Sequence, residues 1–112
     1  MLELYRLLAK ALLNEGKTKE FYSELADILR RYLERRFQIE TFESTTFEIL
    51  RRLKEKEFSS DLIERIKEFL ENSDLVKFAK FIPPRSLADR LTGMLRDIVE
   101  KTKPVVEEAT KK

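Results

Sequence analysis

Apolar residues recur every three or four positions along most of this chain, which is the spacing that places them on one face of an α-helix. The first stripe consists of Leu4, Leu7, Leu8, Ala11 and Leu12. It stops at Asn14-Glu15-Gly16, where Gly16 suits the left-handed residue that follows a helix end. The second and strongest stripe opens near residue 17 or 18, runs to about residue 37, and consists of Phe21, Tyr22, Leu25, Ile28, Leu29, Tyr32 and Leu33. Acidic residues near its start and basic residues near its end complement a helix dipole, so we expect a long helix there.

Capping signals predict further helices downstream. Thr45 and Glu48 have the spacing of a capping box, which opens a third helix, and Ser59 or Ser60 can cap a fourth. The third stripe is Phe47, Leu50 and Leu53 with Ile49 beside it, and the fourth is Leu62, Ile66, Phe69 and Leu70 with Ile63 beside it. Polar residues 72–74 interrupt the fourth stripe, so we expect residues 74–81 to form one or two separate helical turns near the centre of the core.

Two prolines separate the last helix from the rest of the chain. Pro83 and Pro84 cannot lie inside a helix, and Ser86-Leu87-Ala88-Asp89 has the pattern of a second capping box. The last stripe is Leu87, Leu91, Met94, Leu95 and Ile98 with Val99 alongside, before Pro104 ends the helix. The patterns predict an all-α fold, a compact bundle of five or six short helices around a single core. They also predict that residues 1–103 form one helical domain and that residues 104–112 form a frayed C-terminal tail.

The composition narrows the chemistry that such a bundle can perform. The 112 residues suffice for one core. The 23 basic and 21 acidic residues nearly balance, which argues against a strongly basic nucleic-acid module. The sequence has no Cys, no His and only 2 Gly, which removes the commonest general base, the commonest transition-metal ligands and glycine-rich phosphate loops. Five acidic residues could in principle supply an acid/base pair or a metal site, but each has a Lys or Arg nearby, so we interpret them as parts of solvated helix faces: Glu48, Glu64, Glu68, Glu71 and Asp74. We therefore expect no catalytic residue, no metal site and no cofactor, and no enzyme activity.

A run of arginines near the end of the second helix supports an alternative function, the binding of nucleic acid. Residues 30–36 carry four arginines and Tyr32, which can contact phosphates and bases, and Arg51 and Arg52 add to them. We favour an ion-paired helix end, because Asp27 and Glu34 lie within one turn of the arginines. A helix-turn-helix over residues 45–70 is disfavoured, since its second helix would open with acidic residues that repel phosphate.

A second candidate is a surface for a protein partner. Leu75 and Phe78 are assigned to the core, together with Tyr32, Phe37 and Val76. Phe81 and Ile82 belong either to the core or to an exposed aromatic patch, and the sequence leaves that choice open. Such a patch, rimmed by cations, suits a protein contact. The predicted partner-binding residues are Arg31, Arg35, Lys77, Lys80, Phe81 and Arg85.

Three segments, residues 21–37, 43–50 and 74–80 with Pro83 shortly after, carry a family resemblance in their order and spacing. They resemble the cytoplasmic C-terminal region of BatD-like, aerotolerance-associated bacterial membrane proteins, over about residues 17–103. In those proteins an extracytoplasmic β-rich portion and one membrane span precede the helical region. They are encoded beside MoxR-type AAA+ ATPases and von Willebrand factor A-domain proteins.

The resemblance implies a non-catalytic helical module that binds such partners from the cytoplasmic side of the bacterial inner membrane. No apolar run in this chain approaches the ~18–20 residues that a membrane span needs. Whether the chain is an excised domain or a whole protein stays open. Within the third segment we expect Asp74 to pair with Arg31 or Arg35, which would connect the second helix to the short helix predicted over residues 74–81.

Overall fold

Five α-helices account for most of the residues that the computed structural model describes, residues 2–79 and 81–102. They are α1 (Leu2–Ala9), α2 (Thr18–Phe37), α3 (Thr46–Glu55), α4 (Ser60–Phe78) and α5 (Arg85–Thr102). Turns and loops connect them, and no strand occurs within those ranges. The predicted all-α class is confirmed, with five helices from the predicted five or six. The tail predicted over residues 104–112 lies outside the described residues.

The two longest helices, α2 and α4, form the centre of the bundle. α2 packs against α1, α4 and α5, and α4 packs against α2, α3 and α5. α3 packs against α4 alone among the described helices. This peripheral position of α3 leaves much of its surface, and the adjoining face of α4, uncovered.

One continuous apolar cluster fills the space between the helices. Its largest fully buried side chains are Tyr22, Phe69, Leu4, Leu25, Leu29, Leu33, Ile49, Leu53, Ile66, Leu70, Leu91 and Leu95. Each aliphatic or aromatic side chain of this size stabilises the fold by roughly 1.5–3 kcal/mol when it leaves water. The predicted stripes of the second, fourth and last helices supply most of this cluster.

The predicted helix starts of α3 and α4 are confirmed in atomic detail. Thr45 Oγ1 accepts a 3.1 Å hydrogen bond from the Glu48 amide, and Glu48 Oε1 accepts a 2.9 Å bond from the Thr45 amide. Ser59 Oγ accepts a 3.2 Å bond from the Leu62 amide. The second predicted capping box is wrong, because α5 already begins at Arg85, directly after the two prolines.

The predicted break at residues 72–74 is also wrong, because α4 runs through it without interruption. Asn72 Nδ2 donates to the Glu68 carbonyl at 2.7 Å, and Ser73 Oγ donates to the Phe69 carbonyl at 3.0 Å. Short polar side chains in a helix can bond in this way to the carbonyl one turn earlier. The polar triplet is therefore accommodated inside the helix, and residues 74–78 are its last turn.

This continuity changes the environment of the residues that follow. Val76 is buried as expected, but Leu75 is 47% exposed and Phe78 is 76% exposed, so their assignment to the core is wrong. The buried face of α4 is Ile66, Phe69, Leu70, Ser73 and Val76. Leu75 and Phe78 lie out of phase with it and point away from the core. Tyr32 and Phe37, also assigned to the core, are partly buried against it.

Two shorter helices also differ from their predicted stripes. α3 buries Ile49 and Leu53, whereas Phe47 is 72% exposed. α3 contacts a single helix, so it buries a narrow face rather than the whole predicted stripe. α1 ends at Ala9, and turns continue to Gly16, which has the predicted left-handed φ of 76°.

Candidate protein-interaction surface

Four large apolar side chains are exposed around the C-terminal half of α4. Their exposed fractions are 45% for Phe42, 72% for Phe47, 47% for Leu75 and 76% for Phe78. We call these four residues the aromatic surface. They come from the loop before α3, from the first turn of α3 and from the last turn of α4, so the fold assembles them from three places in the sequence.

Asp74 lies at the centre of the aromatic surface and joins its parts. Asp74, Phe42 and Phe78 line one cavity of about 390 Å³. Asp74 and Phe47 line the groove between α3 and α4. Asp74, Leu75 and Phe78 line a shallow depression. Each of the four apolar side chains therefore shares a cavity, groove or depression with Asp74.

The Asp74 carboxylate has a partner other than the predicted arginines. Its Oδ2 accepts a 2.7 Å hydrogen bond from Thr46 Oγ1, in the first turn of α3. This bond connects α4 to α3, whereas the predicted pair with Arg31 or Arg35 would have connected the segment to α2. The sequence pattern gives no sign that Thr46 contacts a residue 28 positions away.

The loop that carries Phe42, residues 38–45, is held in place by side chains of α2. Arg30 donates to the Thr41 carbonyl at 2.7 Å and to the Ser44 carbonyl at 3.3 Å. Glu34 Oε2 accepts from the Thr41 amide at 2.9 Å, from the Thr41 hydroxyl at 3.0 Å and from the Phe42 amide at 3.2 Å. Thr41 is fully buried beneath these bonds. The backbone of Phe42 is thus fixed although its side chain is exposed.

The electrostatics of Glu34 follow from this arrangement. The hydrogen bond from the Thr41 amide, the largest influence, lowers the pKa of the Glu34 carboxyl below its ordinary value of 4.5. The Phe42 amide and the Thr41 hydroxyl act in the same direction, and desolvation opposes them. The ionised carboxylate is the form that accepts all three bonds.

A side chain of α3 also forms hydrogen bonds with loop residues 38–45. Arg52 donates to the Glu40 carbonyl at 2.9 Å and to the Ser44 hydroxyl. Its guanidinium lies 3.9 Å from the Glu40 carboxylate. The loop is therefore clamped from both sides, which gives Phe42 a defined position relative to Phe78.

The structure disperses the residues that the sequence predicts for partner binding. Lys77 lies beside the aromatic surface, with its ammonium 5.2 Å from the centre of the Phe78 ring. Arg31 lines a different cavity, between α1 and α2, and Arg35 is exposed near the end of α2. Arg85 donates to the Asn14 side chain at 3.1 Å, at the start of α5. Phe81 is 40% exposed, and Lys80 lies outside the described residues.

Some of the arginines at residues 30–36 make hydrogen bonds that stabilise the fold. Arg30 clamps the loop, and Arg36 Nε donates to the Thr102 carbonyl at 3.0 Å while its guanidinium lies 4.7 Å from the Phe37 ring centre. These two arginines bond to backbone carbonyls, whereas the sequence pattern favours ion pairs with neighbouring acids. Two of the four arginines are therefore engaged in holding a loop and the end of α5.

Neither a metal-binding cluster nor a membrane-spanning helix gives a further candidate site within the described residues, and no similarity to a known protein indicates one. Within residues 2–79 and 81–102, no three acidic side chains gather closely enough to hold a metal ion. No helix in that part of the chain is both long and apolar enough to cross a bilayer. No family model, curated protein or solved structure matches the chain.

Proposed function

We propose that this chain is a non-catalytic protein-interaction module and that its partner binds at the aromatic surface. The observation that carries the proposal is the exposure of Phe78 and Phe47, at 76% and 72%, beside two further apolar side chains. Contiguous exposed apolar side chains mark contact sites, whereas isolated ones are ordinary. Burying one phenylalanine side chain in a complex contributes roughly 1.5–3 kcal/mol.

The clamped loop supports the same proposal. A contact side chain whose backbone is already fixed loses less conformational freedom when a partner binds. Arg30, Glu34 and Arg52 together provide this preorganisation for Phe42. The bonds satisfy the polar groups of the buried Thr41 and at the same time fix the backbone next to it at Phe42.

We further propose a partner class and a location from the resemblance of residues 21–37, 43–50 and 74–80. The partner is a MoxR-type AAA+ ATPase or a von Willebrand factor A-domain protein. The chain is the cytosolic part of a membrane-anchored bacterial protein of the BatD-like kind, at the inner face of the membrane. The third of these segments contains Asp74, Leu75 and Phe78, so the resemblance and the aromatic surface overlap in the sequence.

The test is a titration of the purified chain with the MoxR-type ATPase and the A-domain protein of the same genome, by calorimetry. We expect binding that Phe78→Ser weakens at least about tenfold, the loss of one well-buried aromatic contact. Leu8→Ser is the matched control, because Leu8 is 39% exposed on α1 and lines none of the cavities of the aromatic surface. Circular dichroism melting shows whether each variant keeps the fold. Equal binding by Phe78→Ser and the wild type would contradict the proposal.

Nucleic-acid binding by residues 30–36 is the alternative function, and it is tested by a separate titration. Arg30 and Arg36 are engaged with carbonyls, which leaves fewer cations for phosphates. Duplex DNA titrated at several salt concentrations provides the comparison. Specific binding that falls steeply with salt would favour the alternative and count against the protein-interaction proposal.

A further inference from the structure

The groove between α3 and α4 has the form of a helix-binding site. The two helices run antiparallel, because Thr46 at the start of α3 bonds to Asp74 late in α4, while Lys54 and Ser60 share the opposite end of the groove. The groove has a volume of about 840 Å³ and is lined by residues of α3 and α4 alone. No other described helix covers it, since α3 packs against α4 alone.

The floor of the groove is apolar and continues into the aromatic surface. Leu50 from α3 and Ile63 from α4 form the floor, and both are partly buried against the core. Phe47, one turn before Leu50, stands at the end of the groove next to Asp74 and is 72% exposed. An apolar strip flanked by two helices is the arrangement that accepts the apolar face of a third helix.

The two walls of the groove carry opposite charge. Arg51 and Lys54 make the α3 wall basic. The α4 wall has three acids and one base, a net charge of −2, and consists of Glu64, Lys67, Glu71 and Asp74. A ligand that fits both walls must therefore present different charges on its two sides.

These wall charges have no ion-pair partner within the part of the chain that the structure describes. Within the described part of the chain, no ion pair within 4 Å involves Arg51, Lys54, Glu64, Lys67 or Glu71. Other charges of the same two helices are paired: Arg65 with Asp97, Glu68 with Arg90, and Arg52 with Glu40. The wall charges are therefore available to pair with charges of a bound partner.

We propose that this groove binds an amphipathic α-helix of the partner protein, with acidic residues along one flank and basic residues along the other. The acidic flank lies against Arg51 and Lys54, and the basic flank lies against Glu64 and Glu71. The α4 wall, from Ser60 to Asp74, spans about 21 Å and the α3 wall, from Thr46 to Lys54, spans about 12 Å, so about two turns of the bound helix contact both walls and about two more contact α4 alone. The inference rests on the proposed function, because it names the element of the partner that binds.

The shape of the groove distinguishes a helix from a second copy of this chain. A second copy could place its basic α3 wall against the acidic α4 wall and satisfy the charges. Two concave grooves facing each other, however, would leave empty space between their apolar floors, which forfeits the packing that stabilises an interface. A single helix is convex and has a diameter of about 10 Å with its side chains, so its apolar face can enter the groove and contact the floor.

The experiment uses three synthetic peptides of about 16 residues, which share a leucine stripe at helical spacing. One has glutamates on one flank and lysines on the other, one has glutamates on both flanks, and one has lysines on both. Fluorescence anisotropy with the full chain measures binding. We expect the mixed peptide to bind most tightly, by about tenfold over each uniform peptide, because each of those repels one wall.

Reversing one wall of the protein sharpens the test. In Arg51→Glu/Lys54→Glu both walls are acidic, so we expect the preference to change to the peptide with lysines on both flanks. Arg6→Glu is the matched control, since it makes the same arginine-to-glutamate change on α1, outside the groove, and should leave the order of the peptides unchanged. All the substituted residues are exposed, so the fold is expected to persist.

Three results would overturn the inference. The first is equal binding of the three peptides, and the second is an unchanged order of peptide affinities in the double variant. The third is a dimer that sedimentation detects in the wild type but not in the double variant. Failure of the inference is separable from failure of the proposed function. If the protein partner binds the double variant as well as the wild type but does not bind Phe78→Ser, the interaction module stands and the groove is not its helix site.

Discussion

Replacing Tyr22 by phenylalanine is expected to stabilise this protein. Tyr22 is fully buried in α2, and its hydroxyl has no hydrogen-bond partner among the described residues. A buried hydroxyl without a partner costs about 1–3 kcal/mol relative to its hydrated state. The ring itself packs edge-on against Phe21, with centroids 5.4 Å apart, and Tyr22→Phe keeps that contact.

The size of the gain is set by two opposing effects. Removing the hydroxyl removes the desolvation penalty, but it leaves a small void in which the ring loses dispersion contacts. We expect a net increase of about 1 kcal/mol in the free energy of unfolding, which raises the melting temperature by about 4 °C for a domain of this size. Urea denaturation and thermal melting at about neutral pH measure both quantities.

The pH dependence of this variant provides an independent check. Burial, with a smaller influence from the Asp89 carboxylate, raises the pKa of Tyr22 from 10.0 to about 12. The folded state therefore keeps the phenol proton at pH values where the unfolded chain has lost it. The stability linked to this proton is complete below the unfolded pKa of 10.0 and is lost as the pH rises towards 12.

The wild type should lose up to roughly 1.4 kcal/mol per pH unit in that interval from Tyr22 alone. Tyr22→Phe has no such group, so the stability difference between the variant and the wild type should grow over that interval. Lysine titration contributes equally to both proteins and cancels in the difference. A variant that is less stable than the wild type at neutral pH, with a difference that does not change with alkali, would refute the assignment of an unpaired, buried hydroxyl to Tyr22.

Three further predictions concern the loop and helix ends that position the aromatic surface. Glu34→Gln should speed amide exchange at Thr41 and Phe42. Because the pKa of Glu34 is lowered in the folded state, acidification of the wild type should produce the same loosening only below its ordinary pKa of 4.5, as exchange rates at several pH values would show. Gln38→Gly should raise the melting temperature slightly, because Gln38 has a φ of 56°, a left-handed conformation that glycine adopts without strain. Thr45→Ala should lower the free energy of unfolding by about 1 kcal/mol, measured by urea denaturation, because α3 loses its cap. A neutral effect of either last substitution would show that the corresponding helix end contributes little to stability.

The sequence is sufficient to predict the fold class and most of the core. Helical periodicity identifies α2 and α5, and the capping signals locate the starts of α3 and α4. These signals are local, because each depends on residues within one or two helical turns of each other. The same local signals mislead at residues 72–74, where the bonds of Asn72 and Ser73 to the carbonyls one turn earlier keep the helix intact.

The aromatic surface is harder to predict because it depends on that continuity. If α4 is taken as one helix, the positions of its buried residues already place Leu75 and Phe78 on the exposed side. The exposure of Phe47 follows only from the packing of α3 against a single helix. The clamp on Phe42 depends on contacts between Arg30 or Glu34 and residues 7–14 positions away, which no pattern in the sequence indicates.

The most direct test of the central claim is site-specific photo-crosslinking in living cells. A benzophenone side chain is placed at position 78 of the natural gene product, and in a second strain at position 8. We predict a discrete adduct with another protein from position 78 and none from position 8. Adducts from position 8 but not from position 78, or adducts with nucleic acid alone, would contradict the claim that the aromatic surface binds a protein partner.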